Sequence, residues 1–482
     1  MSAFQSIEAR IRALSPLSRV GRVCRCAHGT LGVEGLADVA RLGDRVRMRR
    51  PDGQHGGGEV LSLDRDIITV LPDTALEGIA IGDMVELLGP AGIAPDSRWT
   101  GRILDPFGQP LDGRPLPQGG AVRKLRASPP PPTRRDGLGA RLETGMTTFN
   151  TLLPLVRGQR LGLFAGSGVG KSTLLGGFAR NVSADIVVIA LIGERGRELR
   201  DFVETVLGPQ GMARAIVVAA TSDQSPLVRR RAAWAAMAIA EHFRDDGHHV
   251  LLLADSITRF AEAHREVALA SGEPASLRGF PPSAAHTIMA LAERAGPGPA
   301  DAGDITAVFT VLVAGSDMEE PIADILRGVL DGHVVLDRAI AERGRFPAVD
   351  PLRSVSRSLP DAATPQQNAL IARARALLGA YERAEAMIQA GLYAHGSDPA
   401  TDAAIAVWPE IDAFLACPDT IGIEDSFAFL QECLGDAAPH ERPASPETGH
   451  PPATRRTPQD DRPVGASLNH GAAPLAERAE GG

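Results

Sequence analysis

The chain has 482 residues, 44% of them hydrophobic and 23% charged, with a net charge of −9. That length exceeds what one hydrophobic core organises and implies several domains, while the acidic balance argues against a protein whose main task is holding a nucleic acid. No run of about 18 apolar residues is present to cross a bilayer, and Met1 to Arg22 carries no apolar signal core, so cytoplasmic residence is expected. Cys24, Cys26, Cys417 and Cys433 match neither a zinc-ligand spacing nor a disulfide framework and read as structural. Lys124 and Lys171 are the only lysines, arginine supplying every other fixed side-chain cation. A bias toward arginine explains the general shortage but not Lys171, which stands where a compact ammonium can reach between phosphates.

In chain order, Phe4, Ile7, Ile11 and Leu14 recur at three- and four-residue steps and predict a short amphipathic helix over residues 2–14, ended before Pro16. Its apolar face requires a cover, and a partner protein, the chain's own next domain or an anionic lipid surface beside Arg10, Arg12 and Arg19 would each serve. From Gly21 to about Leu88, short alternating stretches broken by Gly43-Asp44-Arg45 and Gly82-Asp83-Met84 predict a small antiparallel β-barrel, here bounded as residues 21–95. Pro106 to Pro132 reads as an ordered but irregular connector. From Gly137, apolar runs at Leu161–Phe164, Ile186–Ile192, Ala215–Ala219, Val250–Ala254 and Ile305–Val313 alternate with helical segments, so residues 96–360 predict an α/β domain with a parallel sheet covered on both faces. Gln366 to Gln431 is alanine-rich and predicts a helical domain at 361–435. Residues 436–482 hold too few large apolar side chains to bury and predict a disordered tail.

The strongest chemical signal is Phe164-Ala165-Gly166-Ser167-Gly168-Val169-Gly170-Lys171-Ser172-Thr173, placed between an apolar strand and a helix start. This is the context a phosphate-binding loop needs. Backbone N–H groups from Ala165 to Thr173 can wrap the β-phosphate of ATP, Lys171 can reach the β- and γ-phosphates, and Ser172 can ligate Mg²⁺. Ala165 stands where the usual pattern has glycine, which is tolerated only if its φ stays negative. Val250-Leu251-Leu252-Leu253-Ala254-Asp255 is a strand ending in an acid that can hold a Mg²⁺-bound water beside Ser172. Glu194, where the strand Ile186–Ile192 ends, is placed at the carboxyl edge of a central strand beside the loop and is the candidate general base. Glu194 also begins a run with Arg195, Arg197, Glu198 and Arg200 that would serve as a solvated charge cluster opening a helix.

Beyond the loop, Gly193-Glu194-Arg195-Gly196-Arg197-Glu198, Asp255-Ser256-Ile257-Thr258-Arg259, Gly272-Glu273-Pro274 with Arg278-Gly279-Phe280-Pro281-Pro282, Glu320-Pro321-Ile322-Ala323-Asp324, Leu330-Asp331-Gly332-His333 and Phe346-Pro347-Ala348-Val349-Asp350 complete a pattern spanning most of the chain. It resembles the flagellar and type III secretion protein-export ATPases, relatives of the catalytic subunits of rotary ATP synthases, where an alanine at the loop start is usual. The resemblance implies a RecA-like P-loop core with an N-terminal β-barrel and a C-terminal helical domain. It assigns Lys171 and Arg195 to the γ-phosphate, Glu194 to the hydrolytic water, Asp255 to the magnesium shell, Arg259 to the catalytic pocket and Phe346 to adenine. It makes Arg357, in Ser354-Val355-Ser356-Arg357-Ser358, the arginine finger that a neighbouring subunit inserts. Tyr381-Glu382-Arg383-Ala384-Glu385 and Trp408-Pro409-Glu410-Ile411 resemble the C-terminal domain of the export enzymes rather than of the synthases.

As partners the resemblance implies a homohexameric ring, a central stalk protein, a stator bound to the N-terminal helix, export substrates with their chaperones, and a membrane export gate at the cytoplasmic face of the inner membrane. No nucleic-acid partner is expected. An RNA translocase sharing the core would need stacking aromatics in its N-terminal domain, where residues 21–100 hold only Trp99. A nucleotide-bound scaffold without activity would not need Glu194. Two departures from the family pattern bear on partner contacts: Asn150 replaces an acid, and Ala284-Ala285-His286 follows the double proline.

Overall fold

The computed structural model describes residues 17–50, 53, 55–276, 279–313, 318–417 and 422–435. The expected N-terminal helix, the expected disordered tail and Arg278 lie outside the described residues.

A closed barrel comes first, formed by β1 (Arg19–Ala27), β2 (Thr30–Glu34), β3 (Asp44–Arg49), β4 (His55–Leu63), β5 (Ile67–Pro72) and β6 (Met84–Pro90) in the order β1-β2-β5-β4-β3-β6. Its strands alternate because one face is wet. Val46 and Met48 of β3, and Ile68 and Val70 of β5, point inward to meet Val23, Leu31, Val33 and Val85 in a closed apolar centre.

The connector is ordered, as expected, and two features hold it. Trp99 is fully buried and donates its Nε1–H to the Pro117 carbonyl at 2.6 Å. Arg102 grips Asp112 through two N–H···O bonds of 2.6 and 2.8 Å. β7 (Gly92–Ile93), ahead of the stretch expected to be irregular, pairs with β9 (Arg123–Lys124) within it, and β8 (Arg102–Leu104), just before Pro106, adds an edge to the central sheet.

That sheet contains, besides β8, β10 (Arg160–Ala165), β11 (Ile186–Glu194), β12 (Ala215–Thr221), β13 (Val250–Asp255), β14 (Ile305–Leu312), β15 (Gly332–Leu336) and β16 (Val349–Ser356), in the order β16-β15-β10-β14-β13-β11-β12-β8. All neighbours run parallel except β15 and β16, so the sheet is mixed at one edge rather than purely parallel. The five predicted strands are the buried centre; β8, β15 and β16, too short or too polar to stand out as apolar runs, flank them. Helices α1 (Lys171–Asn181), α2 (Gly196–Asp201), α3 (Pro226–Asp245), α4 (Ile257–Ala270), α5 (Ser283–Ala292) and α6 (Pro321–Val329) follow the strands, and apolar residues from both sheet faces enter two separate cores.

The alanine-rich segment forms α7 (Pro365–Gln389), α8 (Pro399–Ala416) and α9 (Ile423–Leu434). Thr364 and Gln367 make a reciprocal capping box at the start of α7, and Tyr381 of α7 stacks on Trp408 of α8 with ring centroids 3.7 Å apart. Asn150 explains its own departure from an acid. Its Oδ1 accepts from the Thr144 N–H at 3.0 Å, and its Nδ2 donates to Ser426 Oγ of α9 at 3.2 Å. Ser426 gives its own proton to the Gly422 carbonyl at 2.6 Å, so its oxygen is left to accept, and the amide can donate to it where a carboxylate cannot. Among the described residues no helix is long and apolar enough to cross a membrane.

Candidate active site

Three strands of the sheet bring one charged group each to the mouth of the loop, although β11, expected beside the loop strand, is separated from β10 by β14 and β13. Asp255 lines a smaller cleft with Ser172 and Glu194 rather than the main cavity. β10 ends at Ala165 and turns through Gly166–Gly170 into α1; β11 ends at Glu194; β13 ends at Asp255. Clefts at the carboxyl edges of parallel strands are where such sheets collect ligands. Here the cavity has a volume of about 1120 Å³ and is lined by the loop from Ala165 to Thr173 apart from Val169, together with Glu194, Arg195, Thr258 and Arg259.

The loop's backbone follows from its residues. Gly170 takes φ 84°, which favours glycine, and a Cβ there would come within 3.1 Å of the Phe346 ring. Ala165 raises no such difficulty: among the described non-glycine residues only His28 has a positive φ, so alanine at the end of β10 is unstrained. Val169 is buried and anchors the loop from below, while Ser172 and Thr173 open α1 exposed to the cavity.

Lys171 lies between two carboxylates. Its Nζ donates to Asp255 Oδ1 and stands 3.8 Å from Glu194 Oε1. Asp255 is buried, and its Oδ1 also accepts from the Thr310 hydroxyl at 2.7 Å. Two acids facing one ammonium leave local negative charge. Burial raises the Glu194 carboxyl, the nearby Asp255 charge raises it further, and Lys171 only partly opposes them, so Glu194 titrates at about 7. A group that exchanges its proton near neutrality is suited to acid–base work.

Glu194 differs in setting from the charges that follow it, although Glu198 comes close enough to hydrogen-bond its carboxyl and raise it further. Arg195, Arg197, Glu198 and Arg200 begin the exposed helix α2, with Arg195 pairing to Glu198 at 3.2 Å, whereas Glu194 is still on the strand and half-buried. The solvated-cluster account therefore fits its neighbours and not Glu194 itself. Arg259 stands at the first turn of α4, capped by Ser256, and holds Glu262 at 2.8 Å beside the same cavity. Gly193, with φ 70°, leaves room for it: a Cβ at Gly193 would lie 3.3 Å from the Arg259 side chain. Phe346, 49% exposed, presents an open ring face beside Gly170.

Arg357 does not join this group. Its backbone N–H bonds the Asp331 carbonyl, and the Asp331 carboxylate binds Arg160, so Arg357 sits by the amino end of β10 while the loop leaves the carboxyl end. Six residues of strand put roughly 20 Å between them. The Arg357 side chain is exposed and donates to the Arg327 carbonyl at 3.2 Å. Sequence reasoning missed Thr310, Thr258, Arg229 and Arg338. Thr310 carried a signal, as a polar residue inside the buried strand β14; Arg229 and Arg338 line the cavity from elements whose placement no local pattern discloses.

With this geometry, comparison with known proteins is decisive. Residues 145–356 match the family model for the ATP synthase alpha/beta family, nucleotide-binding domain, and residues 363–430 match the T3SS EscN ATPase C-terminal domain. A flagellum-specific ATP synthase of Caulobacter vibrioides is 43% identical over 440 residues, covering 89% of this chain and 99% of that protein. The chain belongs to the flagellar and type III secretion ATPase family. A type 3 secretion system ATPase of Xanthomonas euvesicatoria is 41% identical, covering 90% of this chain and 98% of that one. The assembled ATPase EscN from enteropathogenic E. coli superimposes with a TM-score of 0.80 at 37% identity, covering 86% of this chain and all of that one, and a second structure shows EscN in complex with its central stalk EscO. As a member of this ATPase family the chain hydrolyses ATP to energise type III protein export. Its RecA-like core, barrel and helical domain are those of the export ATPases, which sets aside the RNA translocase.

Proposed function

We propose that this is the ATPase of a flagellar export apparatus and that it hydrolyses Mg²⁺-ATP by in-line attack of water. The observation that carries the reading is the convergence of Lys171, Glu194 and Asp255, with Lys171 Nζ bonded to Asp255 and 3.8 Å from Glu194. Lys171 moves from Asp255 onto the β- and γ-phosphates when nucleotide fills the loop, Glu194 takes the proton from the attacking water, and Arg195 and Arg259 stabilise charge around the γ-phosphate. The donor set suits magnesium. A hydroxyl from Ser172 and a buried carboxylate from Asp255 are hard oxygen ligands of the kind that hold this ion together with phosphates and water. Ser172 and Asp255 would hold the ion, and it would supply positive charge to offset the negative charge of the phosphates. Phe346 stacks on adenine.

Arg357 completes the site from a neighbouring subunit. Its distance from its own loop supports that role, since a finger built to act within the chain would face the loop it serves. The working form is therefore a homohexameric ring around a central stalk protein, with residues 1–20 docking a stator, residues 21–95, 96–360 and 361–435 forming barrel, core and helical domains, and 436–482 a tail. The ring sits at the cytoplasmic face of the inner membrane, where it releases chaperones and passes export substrates to the gate. The test is phosphate release by purified chain with and without Mg²⁺ across a range of protein concentrations. Metal-dependent turnover that rises per chain as rings form is expected. Turnover in EDTA, or a fully active monomer, would refute the proposal.

A further inference from the structure

Within β14, a strand otherwise buried and largely apolar, two threonines are fully buried. Thr306 serves the amino end, where its hydroxyl accepts from the Gly158 N–H at 2.9 Å. Thr310 lies toward the other end. Ala254 of β13 pairs with Phe309, which places Thr310 beside Asp255. Its hydroxyl proton has two acceptors in reach, Asp255 Oδ1 at 2.7 Å and the Ala254 carbonyl at 3.3 Å, and the shorter, charge-assisted contact takes it.

We propose that Thr310 is a positioning residue for the metal-side carboxylate: its hydroxyl holds Asp255 turned toward the cleft that it lines with Ser172 and Glu194 and keeps it partnered when Lys171 leaves. The inference rests on the assignment of Asp255 to the magnesium shell. In the structure described here Asp255 Oδ1 accepts from both Lys171 and Thr310. Once Lys171 turns to the phosphates, the fixed strand hydroxyl remains as the donor that does not depend on nucleotide. A buried carboxylate without a donor carries a heavy desolvation cost and is free to rotate. Threonine suits the position better than serine alone would, because its branched Cβ limits χ1 and aims the hydroxyl across the strand pair. Valine has the same shape and no proton to give.

The test is equilibrium titration of a fluorescent ATP analogue in EDTA and then in rising Mg²⁺, with Asp255→Asn run alongside. Thr310→Val is expected to bind the analogue in EDTA as the wild type does, while the Mg²⁺ concentration that tightens binding half-maximally rises about tenfold, the loss of one hydrogen bond to a charged group. Thr310→Ser should restore it. A matching thermal midpoint shows that the variant is folded; if Thr310→Val is not, Thr310→Cys, a weak donor of similar size, is read in its place. Unchanged Mg²⁺ dependence beside a shifted Asp255→Asn overturns the proposal, as does an equal loss of affinity in EDTA. If Asp255→Asn itself leaves the Mg²⁺ dependence unmoved, the metal assignment fails and this inference fails with it.

Discussion

Glu194→Gln should make the protein more stable and nearly inactive, and both effects follow from the burial of this carboxyl beside Asp255. Burial and Asp255 raise the Glu194 carboxyl from its ordinary 4.5 to about 7. Two and a half pH units at about 1.4 kcal/mol each is at most about 3.5 kcal/mol, and solvent screening of a side chain that is 20% exposed lowers this to about 1–2 kcal/mol. Because the folded state binds this proton more tightly than the unfolded chain, the favourable contribution is complete below about 4.5 and lost as pH rises through about 7. Glutamine, which never ionises, avoids that loss. Its melting midpoint should match the wild type at pH 5 and exceed it by roughly 1–2 °C at pH 8. Turnover should fall by about 10²- to 10⁴-fold, the worth of a positioned base, with analogue binding retained. Wild-type kcat/KM should fall about tenfold per pH unit below about 7 as the base takes up its proton. Phosphate release and thermal denaturation across pH measure all of this. Near-normal turnover in Glu194→Gln would refute the base assignment, and a variant less stable than wild type at pH 8 would refute the electrostatic argument.

Arg357→Ala should bind nucleotide normally yet lose about 10³-fold or more in turnover; mixing it with Glu194→Gln should recover part of the activity, because some interfaces then pair an intact Arg357 with an intact Glu194, and no recovery on mixing would place Arg357 outside the neighbouring site. Phe346→Ala should raise KM for ATP by about 5- to 100-fold, the worth of one stacked base, with kcat little changed; a loss confined to kcat would contradict the stacking role. Arg294 and Glu241 are 3% and 8% exposed and joined by two N–H···O bonds of 2.8 and 2.6 Å. Arg294→Met should therefore cost about 3–5 kcal/mol by stranding the acid, with Glu241→Gln in the same chain recovering part of the loss in urea denaturation. Deleting residues 2–18 should leave basal ATPase intact while abolishing co-purification with a stator protein; a large fall in melting midpoint would instead show that this segment covers the chain's own core.

What could be read in advance was whatever a short stretch of chain decides by itself. The phosphate loop was legible because glycines, a lone lysine and flanking strand and helix signals are contiguous, and the five central strands because burial on both faces demands unbroken apolar runs such as Val250–Ala254. The barrel was legible from alternation and punctuation, and the placing of Glu194 and Asp255 from their positions just past an apolar run, Asp255 directly after it and Glu194 after Gly193. The edge strands β8, β15 and β16 were not, because an edge or flanking strand takes its partners from residues far away in sequence and needs no apolar run of its own.

Tertiary structure alone decided which groups meet. Lys171, Glu194 and Asp255 are separated by 23 and 61 residues, yet the order β10-β14-β13-β11 brings them together, Lys171 Nζ bonding Asp255 and standing 3.8 Å from Glu194. Only that closeness raises the Glu194 carboxyl, since a pKa responds to burial and neighbouring charge rather than to sequence position. The same holds for Asn150, whose amide is explained by Ser426 of α9, and for Thr310, ordinary in a strand until β13 is laid beside it. Arg357 is the counterexample: its motif marked it as part of a site, and the fold places it at the opposite end of β10 from its own loop, because six extended residues of strand cannot be shorter than their rise.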